Sequence, residues 1–304
     1  MSSPKVAAVV LNYQAKELTL ETLASLAKLR YENLEVIVVD NASGDDSHEA
    51  VMREFPEADA IQTEVNLGVA GGLNVGIRRA LEKNPDFVLV LNNDIEVDPW
   101  MLEELVKVAE ADPKIACVGP KSYYYWDRQR LWSTGGVLRF KESITRERGN
   151  GQLDEGQFDR DEEVEYINGC AMLVRASVVR EVGLCDPIYF LALEDADWCV
   201  RMRRKGYRCH FAHKAVLWHM VSQSTGVYRP FRTYQTGRST AIFVRRYANF
   251  GQWASFLFFM TLAIPAAFVR ELVRGNQTAA VSKLRGVLAG LRVSMTKPPR
   301  APGS

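Results

Sequence analysis

The chain has 304 residues, 47% of them hydrophobic and 25% charged, which is typical of a globular protein and excludes a disordered or fibrous one. Its net charge of +1 conceals an asymmetry, because residues 228–304 carry 12 Lys and Arg and a single acidic residue, Glu271. That segment has a charge of +11, and the preceding 227 residues have −10. We therefore expect an acidic body, a basic C-terminal segment that meets something anionic, and no nucleic-acid partner.

The cysteines and the N-terminus both indicate the cytoplasm. Five cysteines, at positions 117, 170, 185, 199 and 209, show no C-x-x-C or zinc-ligand spacing. Their odd number and scattered positions are typical of reduced thiols. The first residues, MSSPKVAAVVLNYQ, contain an apolar run that is too short for a signal peptide.

Apolar segments alternate with helical patterns in the first part of the chain. Strands buried on both faces are predicted at VAAVVL (6–11), LEVIVVDNAS (34–43) and FVLVLNND (87–94), with a short strand at DAIQTE (59–64). Helices are predicted between them, and another begins at Pro99, where a missing N–H costs nothing. This order predicts an α/β fold with a mostly parallel sheet covered on both faces.

Small polar residues end three of these strands: NYQ (12–14), DNAS (40–43) and NND (92–94). Because ligands of parallel sheets bind beyond the carboxyl ends of the strands, we expect these ends to converge on one site. The ends at 40–43 and 92–94, taken alone, are more often turns, and residues such as those at 40–43 cap the next helix. Asp40 could instead accept hydrogen bonds from a base or a ribose, and Asp94 could bind Mg²⁺ together with substrate phosphates.

The segment NLGVAGGLNVG (66–76) contains four glycines and then becomes helical. It is neither G-x-G-x-x-G nor a P-loop, since no GK[ST] follows. A glycine-rich loop that opens a helix can approach a phosphate or a nucleoside closely, and tight packing of the helix is the equal alternative.

Residues 141–165 are polar and charged, which predicts a mobile loop or excursion before a buried strand resumes at INGCAMLVR (167–175). Glu194, Asp195 and Asp197 then precede an arginine-rich helix. Acids at a helix N-terminus stabilise it by about 0.3–1 kcal/mol, and three exceed what a cap needs. One of them could be a general base, which typically contributes a factor of about 10²–10⁴ to the rate.

Two further features have an ordinary and a functional interpretation. His219 ends the apolar stretch AVLWH, where a lone histidine is more often structural, although histidine is also a common metal ligand. The aromatic residues at 123–126 and Trp132 precede the charged segment. They are either packing residues or a wall on which an acceptor sugar stacks.

The C-terminal segment contains WASFLFFMTLAIPAAFV (253–269), which has no charge over 17 residues. As a helix it would span about 26 Å, short of the roughly 30 Å of a bilayer core, and Pro265 is expected to interrupt it. AAVSKLRGVLAGLRV (279–293) is amphipathic and basic. We expect helices that lie in an anionic membrane interface, with a core helix or a homo-oligomer contact as the open alternative. The basic residues that flank the apolar stretch are Arg245, Arg246, Arg270 and Arg274.

Taken together, these segments resemble the family 2 glycosyltransferases of the GT-A fold, close to their rhamnosyltransferase-like and galactofuranosyltransferase-like members. The resemblance covers about residues 5–245, and the order and spacing of the motifs are more specific than any one motif. The matching segments are VVLNYQ (9–14), VVDNAS (38–43), NLGVAGGLNVGI (66–77), LVLNNDIEVDP (89–99), the stretch 168–208 and AVLWHMVSQS (215–224).

The resemblance implies a nucleotide site and a metal site. Asp94 matches the final, metal-binding Asp of the family D-x-D, and His219 matches the position that completes the site for Mn²⁺ or Mg²⁺. Asn92 departs from the fuller D-x-D, so weak metal affinity or a loose metal requirement is expected. The residues implied for the nucleotide are Asn12, Tyr13, Asp40, Asn41, Asn66, Gly68, Asn74, Asn92 and Asn93.

The resemblance also implies an inverting reaction. Asp195 matches the catalytic base, Glu194 would orient acceptor hydroxyls, and Asp197 and Trp198 would lie on the acceptor side. A helix N-terminus lowers the pKa of a carboxylate and weakens it as a base, whereas burial among Phe190, Leu191 and Leu193 would raise the pKa again.

The predicted protein is therefore a catalytic GT-A domain over residues 1–227, with a nucleotide-binding half at about 1–120 and an acceptor-binding half at about 121–227. Residues 228–304 form a helical, basic, membrane-associating segment. The donor would be a UDP- or dTDP-sugar, and the acceptor a glycan or lipid-linked saccharide for cell-envelope polysaccharide, at the inner face of the plasma membrane. A sugar-phosphate nucleotidyltransferase and a non-catalytic nucleotide-sugar-binding protein are the alternatives.

Overall fold

Strands that are apolar on both faces form the centre of the molecule. The computed structural model describes residues 3–141, 143–221, 229–273, 275 and 277–303. The strands in chain order are β1 (Val6–Asn12), β2 (Leu34–Asp40), β3 (Asp59–Gln62), β4 (Phe87–Asn92), β5 (Ile95–Val97), β6 (Ile115–Tyr124), β7 (Asp127–Ser133), β8 (Gly136–Leu138), β9 (Thr145–Glu147), β10 (Glu162–Val164), β11 (Ala171–Arg175) and β12 (Arg208–His219). The helices are α1 (Lys16–Leu26), α2 (Ser47–Glu54), α3 (Gly68–Glu82), α4 (Met101–Glu110), α5 (Ala176–Val182), α6 (Glu194–Arg204), α7 (Arg229–Tyr247), α8 (Phe250–Val273) and α9 (Gln277–Arg292).

The main sheet has the strand order β10-β12-β6-β11-β4-β1-β2-β3. β3, β2, β1 and β4 are parallel to one another, whereas β11 is antiparallel to both of its neighbours, β4 and β6. β5 pairs with the end of β12, β7 pairs with β6, and β8 and β9 form a separate hairpin. The predicted α/β fold with a mostly parallel sheet is confirmed.

Helices cover both faces of the sheet, which explains why the strands show no polar alternation. In β1, Val6, Ala8 and Val10 point to the layer of α1, α2 and α4, while Ala7 and Val9 point to the layer of α3, α5, α6 and α7. The carboxyl ends of the parallel strands are level, because Asn12 lies opposite Asp40 in β2 and its neighbour Leu11 lies opposite Asn92 in β4. The polar strand ends therefore meet at one edge.

The charged stretch that we predict as an excursion, 141–165, contains two short strands. β9 closes the hairpin with β8, and β10 adds to the edge of the main sheet beside β12. Glu142 lies outside the described residues. The excursion thus returns to the body of the protein, and its first strand brings Glu147 opposite Gly136.

The first C-terminal helix, α7, belongs to the same core as the helices before it. Ile242 and Phe243 are fully buried in the same hydrophobic core as the buried residues of α3, α5 and α6. α9 then packs against α7 at very short range, since a Cβ at Gly286 would lie 2.0 Å from the Tyr234 carbonyl oxygen. Only glycine allows this approach. The predicted boundary between residues 227 and 228 lies outside the described residues.

α8 leaves most of its apolar surface uncovered. Among the described residues, Phe250–Arg270 is the helix long and apolar enough to cross a membrane by length and composition, and 17% of its most apolar window is buried. The predicted interruption at Pro265 is wrong, because the helix continues through this residue. A proline within a helix removes one backbone hydrogen bond, and the helix continues on both sides of it. Its exposed apolar residues are Phe250, Leu257, Phe258, Leu262, Phe268, Val269, Leu272 and Val273.

Two of the arginines predicted to flank the apolar stretch at a membrane are used by the fold instead. Arg245 donates to the carbonyl oxygens of Gly290 (2.8 Å) and Val293 (2.7 Å). Arg246 points inward to two buried aspartates. Arg274 lies outside the described residues.

Candidate active site

The ends of β1 and β2 are joined by a buried network of polar side chains. The Asn12 amide donates to Asp40 Oδ1 (2.8 Å) and to Ser43 Oγ (3.1 Å), and Gln62 donates to Asp40 Oδ2 (3.0 Å). Ser43 Oγ also donates to Asp40. Asp40 is thus an acceptor held in place by three donors at the end of the sheet where α/β proteins bind ligands.

A second group links the DNAS turn to the glycine-rich loop. The Asn41 amide donates to Asn66 Oδ1 (3.1 Å) and to the Gly68 carbonyl oxygen (3.1 Å), and Asn41 Oδ1 accepts from Leu67 N–H (3.0 Å). Gly68 has φ of +71°, and a Cβ there would lie 2.4 Å from the Phe190 carbonyl oxygen. Packing therefore explains this glycine.

The same explanation holds for the glycines further along α3. A Cβ at Gly72 would lie 2.5 Å from the Leu11 side chain, and one at Gly76 would lie 2.3 Å from Val9. Of the two interpretations of the glycine-rich segment, tight packing of the helix accounts for these positions.

The asparagines that we predict to bind the nucleotide differ in their burial and in their hydrogen-bond partners. Asn93 donates to Asn12 Oδ1 (3.0 Å) and to Thr19 Oγ1 (2.9 Å), so it ties the end of β4 to β1 and α1. Asn92 is partly buried at the same edge, and Tyr13 follows β1 there. Asn74 lies further into α3, is buried, and donates to the Cys185 carbonyl oxygen (2.8 Å). Its amide nitrogen is thus used by the fold, its Oδ1 has no hydrogen-bond partner among the described residues, and its contact with a nucleotide stays a prediction.

Asp94 and His219 form a buried pair between β4 and the end of β12. Asp94 Oδ1 and His219 Nε2 lie 3.1 Å apart, and the Met220 N–H donates to the Asp94 carbonyl oxygen (2.9 Å). The pairing of β5 with β12 sets this approach. Trp132 packs its edge against the histidine ring, with 4.3 Å between the ring centroids.

The pair fits a divalent cation. Two ligands at about 2.1 Å from an octahedral ion lie about 3.0 Å apart, close to the 3.1 Å between Asp94 Oδ1 and His219 Nε2. One carboxylate oxygen and one imidazole nitrogen form a donor set that suits Mn²⁺. His219 Nδ1 is buried and has no hydrogen-bond partner among the described residues, so it does not fix the ring through a second hydrogen bond.

The acidic turn at the start of α6 has a strained backbone that hydrogen bonds from α3 and α7 hold in place. Ala192 and Leu193 have φ of +68° and +70°, a conformation that side chains larger than glycine rarely adopt. The preceding Phe190 carbonyl oxygen accepts from Val69 N–H at the start of α3 (2.7 Å). Ser239 of α7 donates to the Leu191 carbonyl oxygen (2.9 Å). These contacts hold the strained turn and set the direction of the acids that follow.

Asp195, in the first turn of α6, is held by two backbone N–H groups. The residue is partly buried, and its carboxylate accepts from the N–H groups of Gly169 (2.8 Å) and Ala196 (2.7 Å). Burial raises the pKa of Asp195 to about 6, although both backbone N–H groups oppose the rise. The effect of burial is thus larger than the lowering expected at a helix N-terminus. A carboxylate with this pKa is ionised at neutral pH and is a stronger base than an ordinary aspartate.

Glu194 is more deeply placed. It is 7% exposed, and its Oε2 has no hydrogen-bond partner among the described residues. Burial, and next the charge of Asp195, raise the pKa of Glu194 to about 8. At neutral pH, Glu194 is therefore mostly protonated beside an ionised Asp195, and its O–H can donate a hydrogen bond.

A third carboxyl group, Glu147 of β9, lies close enough to Asp195 for the two to interact electrostatically. Asn168 donates to Glu147 Oε2 (3.0 Å), and the hydroxyls of Ser133 and Tyr166 also donate to this carboxylate. Burial raises the pKa of Glu147, and the charge of Asp195 adds to the effect. The sequence does not single out Glu147, because nothing in RERGN (146–150) distinguishes it from a surface glutamate.

Asp197 and Trp198 are buried and hydrogen-bonded inside the protein. Asp197 is fully buried and accepts from Arg201 Nε (2.8 Å), Arg246 (2.9 Å) and the Tyr247 hydroxyl (2.6 Å). Trp198 is 1% exposed, and its indole N–H donates to the Gly183 carbonyl oxygen (2.9 Å). Because their polar atoms are satisfied inside the protein, neither side chain is exposed on an acceptor surface in this structure, and their acceptor contacts stay a prediction.

The two halves of the site meet at the turn before β11. The Asn92 N–H donates to the Cys170 carbonyl oxygen (3.0 Å), while Gly169 donates to Asp195. Burial raises the pKa of the Cys170 thiol, and the charges of Asp94, Glu147 and Asp195 add to the rise. Residues 168–170 are therefore a short segment that lies between the Asp94–His219 pair and the acidic turn.

Residues 4–248 match the profile of the family described as "Glycosyltransferase like family 2". An N-acetylglucosaminyl-diphospho-decaprenol L-rhamnosyltransferase of Mycobacterium tuberculosis is 25% identical, over 67% of this chain and 72% of the relative.

Two solved structures share the fold. A mannosyltransferase from Pyrobaculum calidifontis, in complex with GDP-Man and Mn²⁺, has a TM-score of 0.61 and 17% identity, over 95% of this chain and 87% of that one. GalNAc-T7 with UDP, GalNAc and Mn²⁺ has a TM-score of 0.64 and 13% identity, over 80% of this chain. This chain spans about half the length of GalNAc-T7, at 48%.

Proposed function

The chain belongs to glycosyltransferase family 2 and transfers a sugar from a nucleotide donor, and from that premise we propose that it is an inverting, metal-assisted enzyme. Its donor is a UDP- or dTDP-sugar, and its acceptor is a glycan or a lipid-linked saccharide. One observation carries the proposal: the Asp94–His219 pair and the ionisable Asp195 lie on the two sides of residues 168–170. A sugar bound between them would have the cation beside its leaving diphosphate and the base beside the attacking hydroxyl.

The nucleotide lies over the carboxyl ends of β1, β2 and β4. Asp40 accepts hydrogen bonds from the base or the ribose, since its carboxylate is held rigidly by Asn12 and Gln62. The Asn41–Asn66 pair shapes the loop beside it. The remaining residues proposed for this half, at about 1–120, are Tyr13, Gly68, Asn92 and Asn93.

Asp94 and His219 hold the divalent cation, Mn²⁺ or Mg²⁺. When bound, the cation neutralises the negative charge that develops on the departing nucleoside diphosphate. The 3.1 Å separation of the two donor atoms supports this role. The amide at Asn92, where the family has an acid, leaves the site with one carboxylate fewer, so we expect weaker metal binding than a full D-x-D gives.

Asp195 removes the proton from the acceptor hydroxyl as its oxygen attacks the anomeric carbon. The bond from that carbon to the diphosphate oxygen breaks as the new bond forms on the opposite face, so one displacement inverts the centre. The proton ends on Asp195 Oδ. Protonated Glu194 and the Glu147 carboxylate position acceptor hydroxyls around the base.

The enzyme works at the inner face of the plasma membrane. α8 presents a row of exposed apolar side chains, and α9 exposes Leu284, Leu288 and Leu291 beside it. Burial of this surface in the interface, together with attraction of the basic segment to anionic lipid, supports peripheral association.

Transfer with purified full-length protein tests the proposal. UDP- and dTDP-sugars are incubated with Mn²⁺ and candidate saccharide acceptors, and the anomeric configuration of the product is read by proton NMR. Inverted product is expected. Product with retained configuration removes the single-displacement mechanism, and absence of both transfer and donor hydrolysis for every donor removes the enzyme assignment.

A further inference from the structure

A second cleft lies outside the active site, between the β8–β9 hairpin, the C-terminal part of α6, α7 and the start of α8. Its volume is about 370 Å³, which is within the range of small-ligand pockets. We call it the arginine cleft. Its lining residues are Leu138, Phe140, Glu165, Val200, Arg203, Arg204, Phe243, Tyr247 and Gln252.

The charges of the arginine cleft favour an anion. Arg203 forms no salt bridge with a carboxylate in the part of the chain that the structure describes, and Arg204 stacks on the Tyr247 ring, 4.6 Å from guanidinium carbon to ring centroid. The acid of the cleft, Glu165, accepts from the Leu138 N–H through its Oε2 (2.5 Å) and keeps its charge, so the two arginines outnumber it by one positive charge. Two guanidinium groups are therefore available for a phosphate, which arginine binds with paired hydrogen bonds.

The rest of the lining is apolar. Leu138, Phe140, Val200 and Phe243 all pack against the main hydrophobic core. A ligand that satisfies the whole cleft must therefore carry an anionic group and an apolar group next to each other. A free sugar phosphate offers only the first, and a fatty chain only the second.

The cleft connects the active site to the apolar helix. The β8–β9 hairpin has Gly136 and Glu147 at its active-site end, Leu138 and Phe140 at the cleft, and Lys141 next along the chain. The Lys141 ammonium lies 4.8 Å from the centroid of the Phe259 ring of α8. Along α6, the arginine pair lies about 12–14 Å from Asp195 at 1.5 Å per residue.

We propose that the arginine cleft binds the diphosphate and the first apolar units of a lipid-linked acceptor, an inference that rests on the proposed function. The terminal sugar then reaches Asp195, the phosphates lie between Arg203 and Arg204, and the lipid chain leaves along α8. The charge of the arginine pair, the apolar wall and the continuity with α8 all favour this occupant. Phosphates at the cleft also fix which hydroxyl of the sugar faces the base.

Binding of farnesyl diphosphate, a short soluble probe, to the full-length protein tests the proposal by calorimetry. We expect Arg203→Gln with Arg204→Gln to weaken its binding at least tenfold, since two charge-assisted contacts are lost. Arg203→Lys with Arg204→Lys should retain most of the affinity. The matched control, Lys205→Gln, removes a neighbouring charge outside the cleft, where Lys205 lies 3.6 Å from Glu181.

Equal binding by wild type and the glutamine variant overturns the proposal, and so does an equal loss with Lys205→Gln. Displacement of the probe by glycerophosphoglycerol, the soluble headgroup of phosphatidylglycerol, assigns the cleft to a membrane lipid headgroup and also overturns it. Donor binding by the wild type is measured in the same preparation. If the donor binds and farnesyl diphosphate does not, only the cleft assignment fails; if no nucleotide sugar binds, the proposed transfer function fails, whatever the cleft binds.

Discussion

The backbone N–H of Gly169 donates a 2.8 Å hydrogen bond to Oδ2 of Asp195. This bond connects the turn before β11 to the first turn of α6, so the base is held by the sheet as well as by its own helix. It also lowers the pKa of Asp195 against the larger effect of burial, which raises it to about 6. The balance leaves a carboxylate that is ionised at neutral pH and still basic.

Asp195→Asn should lower kcat by about 10²–10⁴, because the amide cannot accept the proton of the acceptor hydroxyl. Donor affinity should change little, since the proposed nucleotide site lies across residues 168–170. Initial rates and donor titrations measure the two effects. Asp112→Asn is the matched control, because its carboxylate pairs with Arg208 at the start of β12, at the opposite end of the strand from His219. Full activity in the Asp195 variant would remove it as the base.

The rate should also depend on pH in a defined direction. Because Asp195 must be ionised to act and its pKa is raised to about 6, kcat/KM should rise about tenfold per pH unit below 6 and level off between 6 and about 8, the pKa of the protonated Glu194 that positions the acceptor. Buffers from pH 5 to 8 cover the transition. A profile that is flat through pH 6, or the same rise in the residual activity of Asp195→Asn, would contradict the assignment.

Glu194 should make the folded state less stable as the pH rises. Its folded pKa of about 8 lies above its ordinary value of 4.5, so between these values the folded state binds more protons than the unfolded state. Stability therefore falls with rising pH across this window. Glu194→Gln lacks the effect, and its Tm relative to wild type should increase from pH 5 to 8.5. Glu181→Gln, at a half-exposed glutamate, should show no such trend.

A feature of this fold can be predicted from the sequence when the residues that produce it are close together in the chain. The buried strands were identifiable because both faces of each are covered by helices, which leaves a continuous apolar run. The polar strand ends were identifiable because parallel strands finish at one edge. Asp94, Asp195 and His219 were singled out from such local signals and from the resemblance.

The positions of Glu147 and Arg246 could not be predicted from the sequence, because both depend on contacts between distant parts of the chain. Glu147 enters the site only because β9 pairs with β8, and the intervening residues carry no pattern that sets this pairing. Arg246 was assigned to a membrane flank, yet it binds Asp186 (2.7 Å) and Asp197 (2.9 Å), the latter 49 residues away in the chain. Local patterns do not report such partners, and the burial of Asp197 and Trp198 was missed for the same reason.

Metal dependence should follow the Asp94–His219 pair. Chelation with EDTA should reduce transfer, and Mn²⁺ should restore it. Asp94→Asn and His219→Ala should each weaken Mn²⁺ binding at least tenfold, because each removes a direct ligand. Electron paramagnetic resonance of free Mn²⁺ measures this binding independently of turnover. His213→Ala is the matched control, because this histidine of β12 also contacts a carboxylate, that of Asp161 (2.7 Å). Equal weakening in the control would show that the loss is not specific to the site.

Membrane association should depend on the exposed face of α8. Leu257, Phe258 and Leu262 are 54%, 61% and 58% exposed, so their replacement by Glu removes apolar surface without opening the core. Full burial of such side chains contributes about 1.5–3 kcal/mol each, and partial burial about half of that. The triple variant should therefore bind phosphatidylglycerol vesicles about a hundredfold more weakly, as measured by co-sedimentation.

The matched control for this test is Met52→Glu on α2, where an exposed apolar side chain lies on another helix of the body. It should bind vesicles as the wild type does. The basic segment adds an electrostatic contribution, so raised salt should weaken wild-type binding further, because salt screens attraction to anionic lipid. If the triple variant keeps its Tm and still binds like the wild type, the apolar face of α8 covers another protein surface instead of a bilayer. A change in oligomeric state between the two proteins would then identify that surface as a contact between copies of the chain.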